Sequence, residues 1–199
     1  TITLRDGTEF FSRRGLGHVA ENFSSQEAID ELPGSMAVGH VRYSTAGDER
    51  AVLRDAQPLL VRCQAGPIAI AHNGNLVNER QLRDELESEG SIFQTSSDTE
   101  VFCHLVARAK GTLLERLQAA FKRVRGAYSL TVTGDGGIYG VRDPSGVRPL
   151  SIGKLRQGWV LASETCAFDL VDAEFVRDVE PGEIVKISDR GLESYWIED

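Results

Sequence analysis

Apolar and polar residues follow two rhythms along this chain, one of period two and one of period 3.6. Residues 1–4 and 8–12 are β-prone runs on either side of Arg5-Asp6-Gly7, and Asp-Gly in that setting predicts a hairpin. A short helical piece is expected at 16–23. Ser24 with Glu27 spells a capping box for a further helix that Pro33-Gly34 would end. Residues 36–41 read as a strand and 43–57 as a polar loop. Residues 59–62 and 67–71 read as paired strands around a turn at 64–66. The second of these is apolar on both faces, which predicts an interior place in its sheet.

The helical rhythm then takes over. Residues 78–89 carry Leu82 and Leu86 on one face and stop at Gly90. Residues 97–109 open with the pair Ser97 and Glu100 and would bury Val101, Phe102, Leu105 and Val106. Residues 112–125 open with Thr112 and Glu115 and align Leu113, Leu117, Phe121 and Val124, with Gly126 behind them. Each helix has one apolar stripe and a charged back, so each packs on one side only. From residue 127 the period returns to two. A hairpin is expected at 128–133 and 138–141 around Gly134-Asp135-Gly136-Gly137. Strands follow at 149–153, 159–162, 174–179, 184–187 and 192–196, with a short helix at 165–171. No internal repeat, low-complexity tract or linker interrupts the pattern. The reading is one α+β domain with helices outside antiparallel sheets.

Composition narrows the class without changing this picture. The chain has 199 residues, 22 Lys and Arg against 30 Asp and Glu, and a formal charge of −8. That length predicts one domain. With glycine included, about half of the residues are apolar, an ordinary globular composition that excludes disorder and collagen-like repeats. The longest apolar run, near 68–71, is far short of the roughly 18 residues a membrane span requires. An acidic chain is also a poor ligand for phosphate backbones, so neither membrane nor nucleic acid is expected as a partner. An odd count of three cysteines is no disulfide framework and fits a reducing, cytoplasmic setting. Cys63, Cys103 and Cys166 form no C-x-x-C pair and have no His at metal-ligand spacing. Each reads as a small buried hydrophobe, and no zinc or iron–sulfur site is supported.

Four segments place polar residues where strands end. In Gly39-His40-Val41-Arg42-Tyr43-Ser44-Thr45-Ala46-Gly47, a strand delivers Arg42 and Tyr43 to its tip and small residues let the loop turn closely. Arg42 suits bidentate binding of a carboxylate, although an ordinary pair with a surface Asp explains it equally simply. In Ala71-His72-Asn73-Gly74-Asn75, the Asn73 amide and the Gly74 N–H make a sensible oxyanion hole; the plainer reading is an Asn-Gly turn before a helix. In Thr95-Ser96-Ser97-Asp98-Thr99-Glu100, Asp98 sits where a helix dipole favours a carboxylate whatever its task. Its functional reading is as receiver of a substrate ammonium group, so that Arg42 and Asp98 together grip both charges of a free amino acid. The last segment, Arg142-Asp143-Pro144-Ser145-Gly146-Val147-Arg148-Pro149, reads by itself as a structural Pro/Gly turn.

Taken in order, these segments resemble the glutaminase domain of the amidophosphoribosyltransferase family, class II glutamine amidotransferases. The stretches 162–168 and 179–183 look like the same family, and the likeness runs from about residue 1 to 193. The glucosamine-6-phosphate synthase type, which usually has Trp where Tyr43 stands and lacks Asn-Leu after His-Asn-Gly, is a weaker match. The resemblance implies a four-layer αββα sandwich of the N-terminal-nucleophile hydrolase kind. It implies an N-terminal Cys that attacks the glutamine side-chain amide, with its own α-amino group as base. It assigns Arg42 to the α-carboxylate of glutamine, Asp98 to its α-ammonium, Asn73 and Gly74 to the oxyanion hole, and Tyr43 to gating.

Released ammonia would pass to phosphoribosyl pyrophosphate in a following phosphoribosyltransferase domain, at the first step of purine nucleotide synthesis. The full-length protein is expected to be a homo-oligomer. No cofactor is expected in this domain; magnesium, with an iron–sulfur cluster left open, belongs by resemblance to the full-length protein. Relative to the family pattern, residues 1–199 lack the opening Cys-Gly-Ile strand and the acceptor domain. The expectation is therefore a fragment, inactive as written. Thr1 aligns with a later strand and is not read as the nucleophile. The competing readings are a catalytically silent glutamine-binding or regulatory module, and the glutaminase domain of another class II amidotransferase.

Overall fold

A computed structural model describes residues 2–5, 9–42 and 53–197, with side chains described from residue 9 onward. Its centre is a six-stranded antiparallel sheet in the order β12-β11-β7-β6-β5-β4. These strands are β4 (Leu59–Cys63), β5 (Gly66–Leu76), β6 (Gly126–Gly134), β7 (Gly137–Arg142), β11 (Glu183–Ser188) and β12 (Gly191–Trp196). Alternation splits the two faces of this sheet. Ile68 and Ile70 of β5, Tyr128, Leu130 and Val132 of β6, Tyr139 and Val141 of β7 and Ile184 of β11 join one apolar cluster. Three helices cover that face: α3 (Glu79–Ser88), α4 (Thr99–Arg108) and α5 (Leu113–Phe121). Their stripes are the expected ones, with Leu82, Leu86, Val101, Phe102, Leu105, Val106, Leu113, Leu117, Phe121 and Val124 all buried.

The opposite face carries two smaller sheets. One has the order β2-β1-β3, from β1 (Ile2–Arg5), β2 (Glu9–Ser12) and β3 (Met36–Val38). The other has the order β10-β8-β9, from β8 (Ser151–Leu155), β9 (Gly158–Ala162) and β10 (Glu174–Asp178). Leu150, Ile152, Val179 and Val185 form the second core between that sheet and β11. Gly140 makes this close stacking work, because a Cβ there would lie 2.7 Å from Leu161 and 2.9 Å from Val185. A short helix, α6 (Cys166–Asp169), lies outside, its Phe168 ring against Gly153 of β8. Helices, sheet, paired small sheets and helix therefore stack in the αββα order expected. Two further short helices, α1 (Val19–Asn22) and α2 (Gln26–Asp30), precede β3.

Several local expectations shift. The cap of α2 is Ser25, which accepts from the Ala28 N–H at 3.2 Å, in place of Ser24. The Thr112–Glu115 capping box forms at α5 as read. The one expected at Ser97 does not. The N-cap of α4 is Asp98, and the Glu100 carboxylate turns to the Gln94 and Thr95 amides at 2.9 and 2.7 Å. A loop with partly buried amides has first claim on an acceptor. Strand β3 stops at Val38, so Arg42 lies four residues beyond its end. Cys166 is exposed, contrary to the buried reading, because α6 faces outward; Cys63 is half-buried and Cys103 is buried. Among the described residues no helix is long and apolar enough to cross a membrane. Residues 6–8 and 43–52 lie outside the described residues, and with them most of the expected loop at 43–57, including Tyr43, and most of the expected turn at 5–7.

Phe102 is the keystone of the larger core. It is 1% exposed and meets Phe121, Tyr128 and His72 at centroid distances of 5.4, 5.6 and 5.4 Å. Phe102→Ala is expected to lower unfolding free energy by about 3–5 kcal/mol. Urea unfolding followed by circular dichroism checks this, and a loss below about 1 kcal/mol would contradict the packing described.

Candidate active site

The site grows from a mismatch in strand length. β4 pairs with β5 only as far as Leu59 opposite Ile70, whereas β6 continues beside β5 to Gly126 opposite Leu76. From His72 onward β5 therefore has one edge without a neighbouring strand among the described residues. His-Asn-Gly-Asn is consequently not a turn, as one reading of the sequence had it, but strand backbone. Side chains take over the ladder on this edge. The His72 N–H donates to Gln57 Oε1 at 2.6 Å, and the Leu76 N–H donates to Asp98 Oδ2 at 3.0 Å. In an antiparallel strand alternate N–H groups share an edge, so the Gly74 N–H points to the same side, between those two bonds. Gly74 is required there: its φ is +150°, and a Cβ would fall 2.1 Å from the Ala127 carbonyl oxygen.

A cavity of about 670 Å³ lies along this edge, lined by His40, Arg42, Asn73, Gly74 and Asp98 among others. Four of the residues singled out from sequence, Arg42, Asn73, Gly74 and Asp98, thus share one cavity. Tyr43 lies outside the described residues.

Asp98 does not cap α4 with its side chain. It reaches back to β5, with Oδ1 3.3 Å from His72 Nδ1. Burial alone would raise its carboxyl, but hydrogen bonds from His72 and from the Leu76 and Thr99 amides outweigh burial and hold the pKa below the usual value. An ionised carboxylate therefore faces the cavity. Arg42 is the opposite charge. Its Nη1 lies 3.6 Å from Asp55 Oδ2, yet its side chain remains 42% exposed while Asp55 is 7% exposed. Its partner is therefore a buried carboxylate and not the surface Asp of the simpler reading. Asp55 also accepts from the Ser96 N–H at 3.2 Å and from the Ser96 hydroxyl, tying Arg42 to the loop that ends in Asp98.

That loop is pinned elsewhere as well. Arg83 donates to the carbonyls of Thr95 and Ser97 at 3.4 and 3.2 Å and lies 4.1 Å above the Phe93 ring. His40 bridges the layers, its Nε2 3.1 Å from the His72 carbonyl oxygen. Burial lowers the pKa of its ring below the usual histidine value. Asp55, Gln57 and Arg83 are not legible as site residues, since each acts on backbone a dozen or more residues away, and Glu100 is not because its sequence position reads as a cap of its own helix. The Asp55-Ala56-Gln57-Pro58 run, two polar side chains just before a strand, was the available signal.

None of the cysteines lines this cavity. Burial, with Glu100 nearby, pushes the Cys103 thiol up to about 12, so it stays protonated. Among the described residues no group of three or more His, Cys, Asp or Glu side chains is placed to hold a metal ion.

A cationic and an anionic side chain, Arg42 and Asp98, thus line one cavity with the Asn73 amide and Gly74. The sequence matches the model of the glutamine amidotransferase domain over residues 40–169, and the chain belongs to that family. Its fold is that of the N-terminal-nucleophile hydrolases. The chain is 45% identical to the amidophosphoribosyltransferase of Bacillus subtilis over 195 residues, covering 97% of this chain and 40% of that one. It is 48% identical to the chloroplastic amidophosphoribosyltransferase 3 of Arabidopsis thaliana, over 87% of this chain and 32% of the relative. Among solved structures it is similar to the B. subtilis glutamine phosphoribosylpyrophosphate amidotransferase complexed with ADP and GMP, with a TM-score of 0.90 and 43% identity. It is also similar to a structure described as the allosteric regulatory enzyme of purine biosynthesis, with a TM-score of 0.92 and 44% identity. Each of these two matches covers 99% of this chain and 42% of the other.

Because its hydrogen bonds hold the folded Asp98 carboxyl below the ordinary aspartate value, its ionisation stabilises the domain above about pH 4. That stability is lost as pH falls through the folded value. Carboxyl-carbon NMR is expected to give an Asp98 midpoint below 3.8, and Asp98→Asn to flatten the acid limb of the stability curve. A midpoint at or above 3.8 would contradict the bonding described.

Proposed function

We propose that this domain hydrolyses glutamine to glutamate and ammonia within a longer amidophosphoribosyltransferase. The ammonia would go to phosphoribosyl pyrophosphate in a second domain, opening purine nucleotide synthesis. The observation that carries this reading is the open edge of β5, along which Arg42, the Gly74 N–H, Asn73 and Asp98 meet in one cavity. Arg42 binds the substrate α-carboxylate and Asp98 its α-ammonium, which leaves the side-chain amide to lie along the strand. The Gly74 N–H and the Asn73 Nδ2 then stabilise the oxygen of the tetrahedral intermediate, two fixed donors in a cavity that limits water.

The nucleophile in this reading is a cysteine thiol outside residues 1–199. Support comes from a gap of about 490 Å³ in the second layer, lined by β3 and β9 and by His40 and Asn73 of the site. The facing edges of β3 and β9 have no paired strand among the described residues. A strand seated there presents its first residue to the cavity. The thiol proton passes to the cysteine's own amino group as sulfur bonds to the amide carbon. That proton then leaves with the nitrogen as ammonia, and water hydrolyses the thioester to glutamate.

The acceptor domain is consistent with the chain spanning about 40% of its bacterial relative. A homo-oligomer is part of the same proposal. Three cysteines without disulfides favour a reducing compartment, the cytoplasm.

The full-length enzyme is expected to release ammonia from glutamine. Asn73→Ala should lower kcat about 10²–10³-fold, while Arg42→Ala and Asp98→Ala should chiefly raise KM. Coupled glutamate dehydrogenase assays measure both parameters. Wild-type protein without glutaminase activity would defeat the proposal.

A further inference from the structure

An amide side chain fits a site in two orientations related by a half-turn, and only one of them serves an oxyanion. Asn73 must offer Nδ2; its Oδ1 in the same place would repel the developing charge. Something has to choose. Ser163 cannot, because its hydroxyl, 3.3 Å from Asn73 Nδ2, both donates and accepts. Arg148 can. A guanidinium has donors only, and Arg148 Nη2 is hydrogen-bonded to Asn73 Oδ1. With the carbonyl end held and one Nδ2 hydrogen on Ser163, the second Nδ2 hydrogen is left for the substrate oxygen.

The segment 142–149, structural by its sequence alone, is built to deliver this one side chain. Asp143 is fully buried and accepts from the N–H groups of Tyr128, Val147 and Arg148 at 3.3, 3.3 and 3.2 Å. Its own N–H donates to the Tyr128 carbonyl at 2.9 Å. The Arg142 guanidinium donates to the carbonyls of Arg148, Gly146 and Val179 at 2.9, 2.9 and 2.7 Å. Tyr128 is the residue of β6 that faces Gly74. One strand pairing therefore sets both the Gly74 N–H and the loop that carries Arg148. The Arg148 Nε is buried without a partner among the described residues, so the loop spends desolvation to reach Asn73.

We propose that Arg148 is a positioning residue that fixes the orientation of the Asn73 amide; the inference rests on the glutaminase reading of the site. Steady-state glutaminase kinetics of the full-length enzyme test it. Arg148→Met is expected to lower kcat about 10²-fold with the glutamine KM within about threefold of wild type, because Arg42 and Asp98 are untouched. Arg148→Lys, which keeps a donor, should recover to within about tenfold of wild-type kcat. In an Asn73→Ala background Arg148→Met should cost nothing further, since both changes remove one function. Should Arg148→Met fail to fold, Arg148→Gln, whose amide no longer offers donors only, carries the same cycle. Full additivity with Asn73→Ala, or a loss seen in KM alone, overturns the role of Arg148 while leaving the glutaminase standing. Wild-type enzyme that releases no ammonia overturns the glutaminase reading and this one with it, whereas an Asn73→Ala variant with unchanged kcat overturns the oxyanion role of Asn73 and with it that of Arg148.

Discussion

The site depends on the backbone of β5 continuing past its neighbour. Where β4 ends opposite Ile70, the β5 edge is left without a neighbouring strand among the described residues. An unpaired amide in a half-buried place costs free energy unless a partner is found, and the fold supplies partners at alternate positions. Gln57 takes His72, and Asp98 takes Leu76. Gly74 lies between them on the cavity lining, which is why the proposed function gives its amide to the substrate oxygen. The same Asp98 that closes the ladder also brings a negative charge to the cavity. One carboxylate thus satisfies the strand edge and, in the proposed function, would also receive the substrate ammonium.

Around this edge a few buried charges each hold several groups. Asp55 holds both Arg42 and Ser96, so the positive end of the cavity and the loop carrying the negative end are set by one buried group. Glu100 and Arg83 secure the rest of that loop from the two helices beneath it. On the opposite face of the sheet, Asp143 fastens the Arg148 loop to β6. Each of these residues is charged and more than half buried, and each is matched by backbone groups, which is what makes its burial tolerable.

Much of this was legible before any coordinates. The stripes of the three helices were read correctly, because 3.6 periodicity over ten residues is a strong signal and those helices face a single core. The strand order of the sheets was not legible, since pairing of β5 with β6 across about fifty residues leaves no local trace. Capping was read correctly where the helix was exposed, at Thr112, and wrongly at Ser97, where the loop claimed Glu100. Arg42, Asn73, Gly74 and Asp98 stood out as polar residues at strand or helix ends. Arg148 and Asp55 did not, because what they do is defined only by partners far along the chain. The exposed Cys166 shows the limit of composition: a free thiol is often buried, but a four-residue outer helix has little interior to offer.

The central claim is that Arg42 and Asp98 hold the two charges of one free amino acid. Calorimetric titration of the full-length protein with L-glutamine, with glutaramic acid, which lacks the ammonium, and with 4-aminobutanamide, which lacks the carboxylate, tests it directly. Glutamine is predicted to bind at least about tenfold more tightly than either analogue, each of which gives up a charge-assisted pair worth roughly 1.5–3 kcal/mol. Equal affinities for all three compounds would contradict the account.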